Sequence, residues 1–171
     1  MREIVRIPGN APWEPIVGYS RAVKAGDLVF VSGTTSTDQN GALIGAGQMY
    51  VQARRAIDNI ATALKRAGLS IRDVVRTRMF ATDVSRLEEI ARAHREAFGE
   101  APPATSLVEV RRLVHPDMLF EIEAVAYAGN AAASSAARPL KPAAAARTSK
   151  SPKPRPRAKK PAPRKAARRR R

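Results

Sequence analysis

The sequence predicts an α+β domain, a mixed β-sheet with two helices on one face, followed by a basic tail that has no core of its own. Three observations lead there. First, the chain has 171 residues and net charge +16, yet 15 of its 31 Lys and Arg and none of its 15 acids lie beyond Ala128. The first 128 residues are therefore near neutral, and their length suits one hydrophobic core. Second, two stretches repeat apolar residues at steps of three and four and end at a glycine. Third, short β-branched or alternating runs lie between turn residues.

Taken in order, Ile4 to Ile7 reads as a strand ended by Pro8-Gly9. Leu28 to Val31 is an apolar run between Gly26-Asp27 and Ser32-Gly33, the pattern of a buried strand. Asn40-Gly41 is a turn, and Gly45 and Gly47 keep the following segment irregular. From Met49, the residues Tyr50, Ala53, Ile57, Ile60, Leu64 and Ala67 line one helical face, with Arg54, Arg55, Asp58, Lys65 and Arg66 opposite. Gly68 stands where a left-handed cap is wanted. In "DVVRTRMFATD" Val75, Thr77, Met79 and Ala81 alternate with Arg76, Arg78 and Phe80, so this is a strand.

"SRLE" fits a capping box between Ser85 and Glu88, opening a helix from about Arg86 to Phe98 that Gly99 stops. That helix is expected to bury Leu87, Ile90, Phe98 and either Ala91 or His94. Thr105 to Val110 and Leu119 to Tyr127 read as the last strands, with Phe120, Ile122, Ala124 and Ala126 on one face. Helices on one side of such a sheet make a layered α+β domain over residues 1–128.

Composition excludes several classes. Without cysteine there are no disulfides or thiolate metal sites, and His94 and His115 have no ligand-like spacing, so no metal is expected. The first residues lack the features of a secretory signal and no apolar run reaches spanning length, so no membrane is expected and the location is read as cytoplasmic. Residues 129–171 carry seven of the 13 prolines and no aromatic residue, a composition expected to stay disordered.

The stretches "GYSRAVKAGDLVFVSG" (18–33), "QARRAIDNIATALKRAGLSIRDVVRTRMFATD" (52–83), "PPATSLVEVRRL" (102–113) and "FEIEAVA" (120–126) together resemble the Rid family, also called YjgF, which includes the RidA imine deaminases. The resemblance covers about residues 3–128. It implies a chorismate-mutase-like fold, assembly as a homotrimer and small-molecule clefts at subunit interfaces. It also implies cofactor-free hydrolysis of enamines and imines to ammonia and a keto acid. Carried over position by position, Tyr19, Ser32 and Gly33 line the cleft with Ser106 and Leu107, and Glu121 is the carboxylate that positions or activates water. Where deaminases carry a carboxylate-binding arginine, this chain has Thr105; where they often have cysteine and asparagine, it has Leu107 and Ala91.

A guanidinium offers a carboxylate two parallel charge-assisted hydrogen bonds, whereas a threonine hydroxyl offers one neutral bond. Losing such a clamp costs a few kcal/mol, roughly two or three powers of ten in specificity constant. The cleft is accordingly expected to hold no fixed cation and to turn over amino-acid-derived imines slowly. Arg111 lies too far along its strand from Thr105 to replace the charge, and His115 reads as a solvated loop residue. Each position also has a plainer reading: Tyr19 as an interfacial aromatic, Ser32 as a turn-satisfying hydroxyl, Glu121 as an exposed charge, Thr105 as lining, His94 as half-buried.

The body is thus read as binding, and slowly hydrolysing, a small imine, enamine or related carbonyl compound. The alternatives are a standard 2-iminobutanoate/2-iminopropanoate deaminase and a nucleic-acid-binding trimer that uses the body as a core. A ligand-sensing or chaperone-like module is a further class. In the tail, Lys150, Lys153, Arg155, Arg157, Lys159, Lys160, Arg164, Lys165, Arg168, Arg169, Arg170 and Arg171 are expected to bind DNA or RNA through counterion release, placing the protein at the nucleoid.

Overall fold

The computed structural model describes residues 4–9 and 11–129. The expected tail, and every polyanion-binding residue assigned to it, lies outside the described residues. Strands β1 (Ile4–Ile7), β2 (Ala22–Ala25), β3 (Leu28–Thr34), β4 (Val74–Ala81), β5 (Ala104–Glu109) and β6 (Phe120–Tyr127) form one sheet in the order β1-β2-β3-β6-β4-β5. All pairings are antiparallel except β4 with β5. The helices are α1 (Trp13–Val17), α2 (Met49–Arg66) and α3 (Leu87–Phe98). The expected mixed sheet with two long helices is present. No helix among the described residues is long and apolar enough to cross a membrane.

Helices α2 and α3 cover one face of the sheet. Ala53, Ala56, Ile57, Ile60 and Leu64 of α2 and Ile90, Ala93 and Phe98 of α3 are buried with Val29, Val31, Met79, Ala81, Phe120, Ile122, Ala124 and Ala126 of the strands. Alternation fixes what the other face shows. Glu121, Glu123 and Val125 stand between the buried residues of β6, and Phe30 lies between those of β3. That second face is open in the single chain, with Phe30 45% and Val108 49% exposed.

Four expectations need correction. The stretch before Gly26 contains β2, a four-residue strand with no long apolar run, joined to β3 by a two-residue turn with Gly26 at φ 61°. The short α1 was also not anticipated. In β4 the register shifts between Val74 and Arg76, which turns Val74 inward and leaves Val75 exposed; a bulge resets the alternation that the sequence suggested.

Ahead of α3 no Ser85–Glu88 box forms. Asp83 accepts from both the amide and the hydroxyl of Ser85 (2.9 and 2.6 Å), which caps a short 3-10 turn instead and leaves Leu87 outside the core. A capping box does form at Ser70 and Asp73, ahead of β4.

Candidate functional site

Four of the expected cleft residues converge. Tyr19, Ser32, Gly33 and Glu121 line one groove of about 820 Å³, bounded by α1, the start of β2, the β3 end, the loop to Asn40, and α2. The bulge of β3 shapes it: pairing with β6 is interrupted between Val31 and Thr34, so Ser32 and Gly33 leave the ladder opposite Glu123, where the Glu121 side chain reaches Gly33. Gly33 is needed there. A Cβ on it would stand 2.0 Å from Oε1 of Glu121, so only glycine leaves the carboxylate its space.

Glu121 has no hydrogen-bond or ion-pair partner among the described residues. It is half-buried, and desolvation pushes its pKa up, with the neighbouring Glu123 adding to the shift and Arg21 opposing it. Such a carboxyl holds a proton more readily than an ordinary carboxylate, which suits it both to take one and to return it. Ser32 donates its hydroxyl proton to the Ser20 carbonyl (2.7 Å), so toward the groove it can only accept. Its plainer role, satisfying turn backbone, is thus also filled.

The expectation of a groove without a fixed cation is overturned. Arg21 lines the same groove, its side chain only 15% exposed. It donates from Nη1 to the Gly33 carbonyl (3.1 Å) and the Thr34 hydroxyl (3.0 Å), and from Nη2 to the Tyr19 hydroxyl (2.8 Å). Arg55 and Arg66 of α2 also line the groove. Arg21 was not anticipated, because it lies far in sequence from the strand of Thr105. The residue was visible two positions after Tyr19, but nothing in the sequence showed that the β3 bulge brings Gly33 and Glu121 beside it.

Thr105, Ser106 and Leu107 lie elsewhere. β5 is an edge strand, and in-register pairing sets Thr105 against Thr77 and Ser106 against Arg78. Thr105 faces the helices, the side opposite Glu121. Its hydroxyl bonds to that of Thr77 and lies 3.3 Å from Nε2 of His94, which is 3.1 Å from the Thr77 hydroxyl.

Burial depresses the His94 pKa and so favours the neutral imidazole, whose ring lies against Phe98 (4.5 Å between centroids). His94 is therefore half-buried as expected, and it is the group beside Thr105 that sequence distance had hidden. Ala91, on the same helix, is partly buried. His115 is exposed and accepts from the Asp117 amide (3.2 Å); neither it nor Arg111 enters the groove. Among the described residues no three His, Asp or Glu side chains gather as metal ligands would.

The family model described as Endoribonuclease L-PSP matches residues 9–128. A RutC family protein of Pyrococcus horikoshii is 38% identical over 74% of this chain and 98% of its own length. The 3-aminoacrylate deaminase RutC of Acinetobacter baylyi is 35% identical over 74% of this chain and 98% of its own. Among solved structures, a Mycobacterium tuberculosis member of the YjgF/YER057c/UK114 family is 43% identical with TM-score 0.67, covering 73% of this chain and 99% of that one. The YjgF gene product of E. coli is 31% identical with TM-score 0.64, covering 72% and 98%.

Proposed function

The chain belongs to the Ribonuc_L-PSP family, and from that premise we propose that it hydrolyses a small imine, or an enamine after tautomerisation, in the groove beside Glu121. One observation carries the reading: an unpaired, half-buried carboxyl with a raised pKa opens on a groove of about 820 Å³ next to the Tyr19 hydroxyl. Glu121 takes a proton from water as its oxygen attacks the imine carbon. With the imine entering as its iminium ion, this gives a neutral carbinolamine. The carboxyl passes the proton to the nitrogen, and the carboxylate so formed takes the hydroxyl proton as the C–N bond breaks, so that iminium and water are consumed and a carbonyl product and ammonium are released. A relative 35% identical carries the name 3-aminoacrylate deaminase, which supports an enamine as the substrate class.

The groove of one chain lacks the β5 residues. A homotrimer, its open sheet faces turned inward, supplies them: Thr105, Ser106 and Leu107 of one copy close the groove of the next. The exposed Phe30, Val108 and Tyr127 on or beside that face support the assembly. The 15 basic residues beyond Ala128 support polyanion binding as an auxiliary property. A gel shift at low salt with and without residues 129–171 tests that part, and full-length protein that ignores DNA ends it.

The reaction itself is tested by generating 2-aminoacrylate in situ and following pyruvate and ammonia. Release above the uncatalysed rate, proportional to protein, is expected; release no faster than in water refutes the reading.

A further inference from the structure

Besides Glu121 and its polar neighbours, three large apolar side chains line the groove. Trp13 and Val17 come from α1, and Val114 from the loop between β5 and β6. Trp13 is 48%, Val17 72% and Val114 88% exposed, Val114 more than any other large apolar residue among those described. Single exposed apolar residues are ordinary, but several on one concave surface mark a place that something apolar covers.

Local structure holds these residues where they are. A spacing of four sets Trp13 and Val17 on one face of α1. The helix is fastened in turn, because the Glu14 carboxylate accepts from the amides of Gly9 (2.9 Å) and Ala11 (3.3 Å). Gly41 backs the indole: a Cβ there would stand 3.2 Å from Cγ of Pro12 and 3.7 Å from Nε1 of Trp13. The loop of Val114 is tied to α2 at its far end, where Gln52 donates to the Asp117 carbonyl and accepts from the Leu119 amide (2.8 Å each).

The groove, about 820 Å³ in the single chain, suits a ligand bulkier than 2-aminoacrylate. An imine that reacts at Glu121 leaves its substituent in the same cavity. Covering the indole and the two valines with that substituent removes apolar surface from water on both sides.

We propose that Trp13, with Val17 and Val114, binds an aromatic or bulky aliphatic substituent of the ligand, so that the groove prefers imines and carbonyl compounds that carry one. This rests on the reading of the groove as an imine-hydrolysing site. It adds the chemistry of the part of the ligand away from the reacting carbon.

The test uses binding, so that it stays informative if no deamination is found. The probes are 2-oxobutanoate and 2-oxo-4-phenylbutanoate, stable keto acids that differ by a phenyl ring, titrated calorimetrically into the full-length protein. The phenyl compound is expected to bind about tenfold or more tightly, the value of partly burying the ring. Trp13→Ala is expected to remove that preference. Trp13 is the only tryptophan of the chain, so its fluorescence reports this surface directly. Its emission is expected to move to shorter wavelength with the phenyl compound and to stay in place with 2-oxobutanoate.

Trp13→Ala is checked by thermal unfolding, and if it does not fold, the wild-type emission decides. Equal affinities, no binding of the phenyl compound, an undiminished preference in Trp13→Ala, or an unmoved emission overturns the proposal. Emission of the ligand-free protein that moves to longer wavelength on dilution would assign the surface to a second copy, and overturns it too. Failure of the ammonia assay with the preference intact would overturn only the deaminase reading, and ammonia release with equal affinities only this one.

Discussion

Glu121, Gly33 and His94 show how much depends on single contacts. Gly33→Ala sets a methyl within 2.0 Å of the Glu121 carboxylate, which must move aside because it is the flexible partner. Turnover is expected to fall about a hundredfold, since misplacing a reacting group by about 1 Å has that effect, while the unfolding midpoint changes little. Unchanged kinetics would show that the carboxylate does not act from its observed position. His94 gives a pH prediction. Its folded pKa lies below the ordinary 6.5, so the unfolded chain binds the extra proton first and stability falls as pH drops below 6.5. Glu121, raised, acts in the opposite sense, losing stability as pH rises above 4.5 through its folded value. The difference between wild type and His94→Gln in thermal unfolding at pH 7.5 and 5.5 isolates the histidine: the wild type should lose more on acidification. Half-burial of His94 was legible from its helix position. Its contact with Thr105 was not, because a parallel pairing of β4 with β5 joins residues 28 apart.

At the level of elements, the helices were legible where the 3.6-residue repeat is long, as in α2, and Gly68 caps it with φ 77° as expected. What local pattern could not show were departures from regularity. The bulge at Val74/Arg76 inverts an alternation that looked continuous, and β2 is too short to show a period of its own. The α3 start followed Asp83 because a carboxylate two residues earlier competes for the Ser85 amide. Gln52 was hidden for a different reason: a polar residue on an apolar face gives no sign of its partners. It is fully buried; its amide donates to the carbonyls of Gly45 (3.1 Å) and Asp117 (2.8 Å), and its oxygen accepts from the Leu119 amide (2.8 Å). These bonds pin the chain just before β6 to α2 and so hold Glu121 in register. Gln52→Leu leaves the Asp117 carbonyl and the Leu119 amide without their partner, the Gly45 carbonyl keeping the Gln48 amide, and is expected to cost about 2 kcal/mol in urea unfolding. A loss under about 0.5 kcal/mol would show that water replaces the amide without strain.

For the whole molecule, one sheet face is covered by helices and the other carries Phe30 and Val108, both about half exposed. In the proposed trimer, two further copies would cover that face, burying apolar surface and closing the groove in one step. Phe30→Glu is accordingly expected to shift the protein to monomers in sedimentation velocity and to reduce turnover with it; a monodisperse trimer in that variant would place the interface elsewhere. The sequence resemblance located the groove residues on the Glu121 side but led to a cavity without a cation, because Arg21 meets the groove at the β3 bulge and not along the strand of Thr105. The most direct measurement of the account is kcat/KM for 2-aminoacrylate in three proteins. Glu121→Gln is expected to fall at least about a hundredfold below wild type, the scale of a lost general acid–base, while Thr105→Ala stays within about tenfold, as loss of one neutral hydrogen bond allows. Wild-type activity in Glu121→Gln, or a larger loss in Thr105→Ala than in Glu121→Gln, would contradict it.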